Sequence, residues 1–359
     1  MSPKPLTVCL LFGGRSGEHE VSLRSAASVS RNLDPARYRQ VLIGIDKAGV
    51  WHLQPRGNFR QESYGERLEL VPAPRPVSVV PGRGLAAGAR RIEADVVFPV
   101  LHGTFGEDGT VQGLLEVAGL PYVGAGVLAS SLAMDKDKTK EVWRRAGLPV
   151  VDSLTLRDAS PASVQAVQAA FPLPVFVKPS AAGSSVGIRK VGDPAQLAAA
   201  LREALRYDSK ALVEPAIEGR EIECSVLGNE EPQAFPPGEV IPRHEFYSYE
   251  AKYLDPQGAE LRLPAELPEA TREQVMRLAV AAFRAVECSG MARVDFFVEK
   301  SGGRIWINEI NTLPGFTNIS MYPKMCELGG LAYPRLLDRL IELALERHRL
   351  RSGLLFSRE

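Results

Sequence analysis

Continuous apolar runs alternate with helix-period stretches along this chain, and their order is the first guide to its fold. Residues 6–12, LTVCLLF, are apolar throughout and stop at Gly13-Gly14, as a strand buried on both faces does where it enters a loop. A helix-like stretch follows near residues 22–33, then VLIGI at 41–45 and DVVFPVLHG at 95–103. GTVQGLLEVAGLP has the period of a helix closed by Gly119 and Pro121. Strands alternating with helices predict an α/β unit with a parallel sheet over residues 1–130. The segment from about 52 to 92, rich in Pro, Gly and Arg, is expected to be irregular and surface-exposed.

A second unit is expected over 131–218. It opens with the charged helix of MDKDKTKEVWRRAGLPV and continues with the strands PVFVKPS, SSVGIRKV and ALVEPAI, the helix PAQLAAALREAL lying between the last two. The third, 219–359, holds REIECSVLG, a Pro-punctuated stretch at 232–264, a long helix at 268–287 and a terminal helix near 330–349. Between those helices ARVDFFVEKSGGRIWINEIN reads as a hairpin turning at Gly302-Gly303. In its second strand, strict period-two alternation puts Glu309 and Asn311 on the side that already carries Ile305 and Ile307.

Length and charge narrow the classes. At 359 residues two or three cores are expected. Lys plus Arg and Asp plus Glu are 43 each, so no global field draws nucleic acid or an anionic membrane, and anion binding must be local. Cys9, Cys224, Cys288 and Cys326 form no CxxC pair and read as buried reduced thiols. No run approaches the ~20 apolar residues of a membrane span. MSPKPLTVCLLFGG is too briefly apolar for a signal peptide. A cytoplasmic protein with neither nucleic-acid nor membrane partners is the expectation.

Five stretches carry candidate chemistry. Across the hairpin, Asp295, Glu309 and Asn311 offer three oxygen donors with two charges, which suits Mg²⁺; a solvated strand face is the plainer alternative, weakened by apolar Val294, Phe296, Val298, Trp306 and Ile310 on the opposite faces. Arg293, two residues before Asp295, projects to the same side, where it would neutralise charge on a transferred group. In VKPSAAGSSVG, Lys178 ends a strand and Gly183, Ser184, Ser185 and Gly187 form a loop able to wrap a phosphate or simply to turn. It lacks the ending of a Walker A loop. In LVEPAIEG, Glu214 precedes Pro215, which biases it to extended backbone, as either a nucleotide-edge contact or a linker would require.

GGRSGEHEVS, at the C-terminal end of the first strand, is not GxGxxG. Glu18 and Glu20 there suit the helix dipole, and Glu18 would also suit a ligand ammonium. HGTFGEDG at 102–109 is a second loop of this kind, and EFYSYEAKYLD at 245–255 reads as a lid or a surface loop.

Taken together, GGRSGEHEVS, HGTFGEDGT, YVGAGVLASSLAMDK, VKPSAAGSSVG, YEAKYL, ARVDFF and NEINTLPGFT resemble the D-alanine–D-alanine ligase family of the ATP-grasp superfamily, in family order through nearly the whole chain. Stretches 52–92 and 340–359 carry none of its motifs. The resemblance implies an N-terminal substrate domain at 1–130, followed by central (131–218) and C-terminal (219–359) ATP-grasp subdomains that hold ATP between their sheets. It implies Lys136 and Lys178 at the nucleotide phosphates, Ser184 and Ser185 in a Ser-rich loop, Glu214 near the adenine or ribose, and the backbone of Pro215 and Ile217 at the adenine edge. Glu221 would contact the ribose. Asp295, Glu309 and Asn311 would ligate Mg²⁺, for which Mn²⁺ can stand in.

Glu18 would anchor the ammonium of the first D-alanine, with His102 nearby, and Ser320 would meet the carboxylate of the second. Arg293 and the Gly315 N–H would hold the reacting carboxylate and the later oxyanion. Lys252 and Tyr253 would belong to the lid, Tyr253 linking to Ser184 and Glu18. Proline at 215 departs from many members and removes one N–H, leaving the carbonyl available to the adenine amine. The implied activity is ATP-dependent ligation of two D-alanines through an acyl phosphate, for peptidoglycan precursors, by a homodimer. The alternatives are a D-alanine–D-lactate or D-serine ligase, another ATP-grasp carboxylate–amine ligase, and a nucleotide-binding regulator without catalysis. Tyr253 argues against the lactate type.

Overall fold

The computed structural model describes residues 4–62, 65–183, 186–243 and 258–355. In the N-terminal sheet, Leu6–Gly13 lies between Tyr38–Ile45 and Val96–Leu101, parallel to both, and Trp51–Gln54 is antiparallel at the edge. The first strand is apolar throughout because both of its faces are covered. Val8, Leu10 and Phe12 pack with Leu23 and Ala26 of the helix His19–Asn32 and with Leu336 and Leu340 of the terminal helix Tyr333–Ser352. Cys9 and Leu11 join Ile43, Val97 and Leu115 under the helix Thr110–Ala118, which Gly119 closes in the left-handed conformation. All four cysteines are buried and unbridged.

Residues 52–92 are not irregular. Phe59–Glu62 pairs with Gly65–Leu68, and Val77–Val80, Gly84–Ala87 and Arg90–Ile92 form a small three-stranded sheet. Leu68, Val77, Leu85 and Ile92 are buried beneath them. These strands are three or four residues long, too short for alternation to register, and the Gly and Pro between them are turn residues.

The central sheet runs Leu154–Leu156, Ala211–Pro215, Val175–Pro179, Arg189–Val191, antiparallel throughout; its first strand was not expected. Val175, Val177, Ala211 and Val213 turn one face into a core with Leu197 and Leu201 of the helices that cover it. By alternation, Lys178 and Glu214 occupy the opposite face. The next sheet orders Ala259–Arg262, Gly238–Pro242, Gly219–Gly228, Gly290–Glu299 and Ile305–Asn311, with Gln233–Ala234 also paired to Gly219–Gly228. Among the described residues, the stretch 232–264 therefore supplies three strands.

One face of this sheet packs on the helix Glu269–Ala285 and on Trp143, which is fully buried and donates its indole N–H to the Ala282 carbonyl at 3.0 Å. Trp143→Ala is expected to cost about 3–5 kcal/mol in urea unfolding, the usual penalty for such a cavity.

The expected hairpin is present, and Gly302 and Gly303 both take positive φ, 82° and 68°. Its register pairs Arg293 with Asn311 and Asp295 with Glu309, but Phe296 with Ile307. Asn308 is therefore an extra residue, and this bulge corrects the alternation expected from sequence. Ile305 and Ile307 do not share a side with Glu309 and Asn311. They join Ile310, Val294 and Phe296 in the core, while the polar pair faces the other way.

Candidate active site

A cavity of about 190 Å³ opens on that polar face. Its walls come from around the three larger sheets: Glu18, His102 and Glu107 from the N-terminal loops, Lys136, Ala182 and Gly183 from the central unit, and Glu223, Arg293, Glu309, Asn311, Gly315 and Ser320 from the last. Lys136 opens the helix Lys136–Arg145, capped by Asp135. Its ammonium donates to the Ala182 carbonyl at 2.9 Å and stands 3.6 Å from Glu309.

Arg293 is gripped by Asp295 through two 2.7 Å bonds, from Nε and Nη2, and lies 3.3 Å from Glu223. Burial opposes its charge, but Asp295 and Glu223 outweigh burial and raise its pKa well above the ordinary value. Asp295 itself does not line the cavity but touches Arg293, which does.

Asn311 accepts the Leu313 N–H at 2.9 Å, which shapes the turn delivering Gly315. A Cβ at Gly315 would stand 2.7 Å from Ser320 Oγ, so glycine keeps the two in close approach. Ser320 Oγ also accepts the Thr317 N–H at 3.0 Å. His102 is buried, with Nδ1 at the Leu313 carbonyl and Nε2 at Ser25 Oγ, both 3.1 Å. Burial lowers its pKa, so the neutral ring ties its own loop to the helix His19–Asn32 and to the turn at Leu313.

Glu18 and Glu20 part company. Glu20 is exposed and pairs with Lys47, whereas Glu18 is buried against the cavity. Cβ atoms built at Gly103 and Gly183 would lie 2.7 and 3.2 Å from Glu18 Oε2, so this acid sits where two glycine backbones meet. Lys178 and Glu214 lie outside the cavity lining and bind each other at 2.6 Å, and Lys140 reaches the other Glu214 oxygen at 2.7 Å. Pro215 ends its strand opposite Val175, Ile217 is half-buried just beyond it, and Glu221 pairs across to Val240 and Phe297. Ser184, Ser185, Lys252 and Tyr253 lie outside the described residues, and with them the expected Tyr253 link to Ser184 and Glu18.

The expected ligands fit a hard divalent ion by their chemistry. The two carboxylates come from directly paired strand positions and the amide from two residues after Glu309, and among the described residues no three His, Cys, Asp or Glu side chains gather at ligand spacing. Such a set leaves the remaining octahedral positions to phosphate oxygens and water, as Mg²⁺ prefers.

Three residues escaped the sequence reading. Glu223 follows Glu221 at period two in REIECSVLG, which placed it on the same face. Lys140 lies one helical turn after Lys136. Glu107 sits in HGTFGEDG and accepts the Gly103 N–H at 2.6 Å. Burial, and then the Glu18 charge, push its carboxyl well above the usual range. A carboxyl raised on folding stabilises at low pH and loses that contribution as pH rises through its folded value. Glu107→Gln keeps the acceptor and removes the titration, so it is expected to raise the thermal midpoint more at pH 8 than at pH 5. An equal shift at both pH values would contradict this.

A parallel sheet followed by two antiparallel sheets, lysines on one and a paired acid–amide strand on the other, is the architecture of an ATP-grasp ligase. Family models described as D-ala D-ala ligase N-terminus and C-terminus match residues 7–125 and 142–342. The chain belongs to the D-alanine–D-alanine ligase family. It is 50% identical over 353 residues to the D-alanine--D-alanine ligase of Solibacter usitatus, covering 98% of this chain and 99% of that one. The solved D-alanine-D-alanine ligase from Coxiella burnetii superposes with a TM-score of 0.84 at 42% identity, over 98% of this chain and 97% of the other. The VanG D-Ala:D-Ser ligase from Enterococcus faecalis superposes with 0.82 at 35% identity, over 95% and 100%.

Proposed function

We propose that this protein joins two D-alanines to D-alanyl-D-alanine at the expense of ATP, supplying a peptidoglycan precursor. The carrying observation is one cavity that gathers Glu18, Arg293, Gly315 and Ser320, an acid for an ammonium and donors for carboxylates. Glu18 takes the ammonium of the first D-alanine, and the buried, neutral His102 holds the surrounding loops. Arg293 and the Gly315 N–H take its carboxylate, one oxygen of which attacks the ATP γ-phosphorus to give an acyl phosphate and ADP. Lys136 and Lys178 contact the phosphates with the Ser184–Ser185 loop, while Glu214, the Pro215 and Ile217 backbone and Glu221 hold the nucleoside.

Asp295, Glu309 and Asn311 would hold Mg²⁺ or Mn²⁺, which supplies charge neutralisation at the phosphates when bound. Ser320 positions the second D-alanine by its carboxylate. Its amine attacks the acyl carbon, Arg293 and the Gly315 N–H stabilise the oxyanion, and phosphate leaves as the amine proton is lost. In this reading Lys252 and Tyr253, which lie outside the described residues, serve to keep water from the acyl phosphate.

The chain divides in this reading into 1–130, 131–218 and 219–359, the nucleotide lying between the last two. The protein works in the cytoplasm as a homodimer. Exposed Leu114, Val117 and Leu128 on two adjoining helices support the pairing, and among the described residues no helix is long and apolar enough to cross a membrane. Phosphate release is expected to require both ATP and D-alanine; release with ATP alone, unchanged by D-alanine, would overturn the ligase reading.

A further inference from the structure

The helix that carries Lys136 into the cavity sends a second lysine, one turn later, into the protein. The Lys140 side chain is 0% exposed, and its ammonium lies 2.7 Å from Glu214 Oε1 and 3.3 Å from the Val151 carbonyl. Lys178 holds the other oxygen, Oε2, at 2.6 Å and is 8% exposed. One buried carboxylate thus has two buried ammonium partners. Burial opposes the charge on Glu214, but Lys140 and then Lys178 outweigh it and hold the carboxyl below its usual range. For stability alone a second buried lysine is a burden, since a single pair already balances the acid and each further ion must be desolvated. Burial correspondingly lowers the Lys140 pKa.

The arrangement makes sense if one of the two lysines has to leave. We propose that Lys140 is a positioning residue that keeps Glu214 ionised and oriented while Lys178 transfers its ammonium from Glu214 to the nucleotide. This rests on the reading of Lys178 and Glu214 as nucleotide contacts. With Lys140 in place, Lys178 can turn to a phosphate without stranding a buried carboxylate. Without it, each nucleotide that binds must leave Glu214 uncompensated or forgo Lys178. Lys140 is the partner suited to stay, because it is sealed from solvent and pinned to the Val151 carbonyl, whereas Lys178 lies next to the end of its strand and keeps some exposure.

The test measures ADP affinity, the KM for ATP, and the KM for D-alanine in Lys140→Met, Lys178→Met and Lys140→Arg. Lys140→Met is expected to weaken ADP and raise the ATP KM by about 10–100-fold, with the D-alanine KM within about threefold of the parent, and Lys140→Arg is expected to recover most of the loss. A merely structural lysine would lower the thermal midpoint without separating the two KM values. Unchanged nucleotide affinity in Lys140→Met would overturn the inference, provided Lys178→Met is impaired. Unimpaired Lys178→Met would instead overturn the nucleotide-site reading. If Lys140→Met alone does not fold, Lys140→Met is compared within Glu214→Gln protein, where the carboxylate it serves is gone. There it is expected to change ADP affinity less than about twofold, and a full-sized loss would overturn the proposal.

Discussion

Arg293→Met is expected to cut dipeptide formation about 10²–10³-fold and to destabilise the protein in the same stroke. The kinetic loss is that of an oxyanion donor aimed at the carbon under attack. The loss of stability comes from the acids left behind. Asp295 grips the guanidinium with two bonds, Glu223 stands 3.3 Å away, and all three side chains are mostly buried. Removing one partner from such a buried pair costs about 3–5 kcal/mol. Arg293→Lys separates the two effects. It restores the charge, and with it most of the stability, but lacks the planar fork that meets Asp295 and substrate together, so the rate stays low. Urea unfolding and saturating ADP-release assays on both variants read the effects separately. A near-parental rate in either variant would remove Arg293 from the chemistry.

The second large effect is expected from Asp295→Ala. ADP release should fall by more than about 10²-fold while the fold survives, because a carboxylate that would hold the metal at the phosphates is gone. Survival is expected because Arg293 keeps Glu223, and the hairpin core of Val294, Phe296, Ile307 and Ile310 lies on the other face. Since Asp295 also steers Arg293, the assay is run across Mg²⁺ concentrations. Loss of a ligand raises the Mg²⁺ needed for half-maximal rate, whereas misplacement of Arg293 alone leaves it unchanged. Near-normal ADP release would sink the metal assignment.

Much of this site was legible because its residues sit on long, regular elements. The buried run at 6–12 and the Gly302-Gly303 turn follow from periodicity and turn chemistry, whereas Asp295 meets Glu309 only because of the bulge. Where reading failed, a local rule was overridden. No alternation pattern announces the extra Asn308, yet that one residue decides that Ile305 and Ile307 go to the core while Glu309 meets the cavity. The short strands of 59–92 offer too few residues for a period to emerge. Glu223 and Lys140 acquire meaning only through neighbours distant in sequence, Arg293 for the first and Glu214 for the second. Glu107 is notable only once its loop is folded against Glu18. Spacing along a helix or strand could have flagged the first two, but not the third.

The identity of the product decides between D-alanyl-D-alanine formation and every alternative. The protein is incubated at neutral pH with ATP, D-alanine and equal amounts of D-lactate and D-serine, and the products are identified by mass and counted against ADP. D-alanyl-D-alanine is expected as the main product, with one ADP formed for each dipeptide. D-alanyl-D-lactate or D-alanyl-D-serine as the main product, or ADP formed without any ligated product, would contradict it.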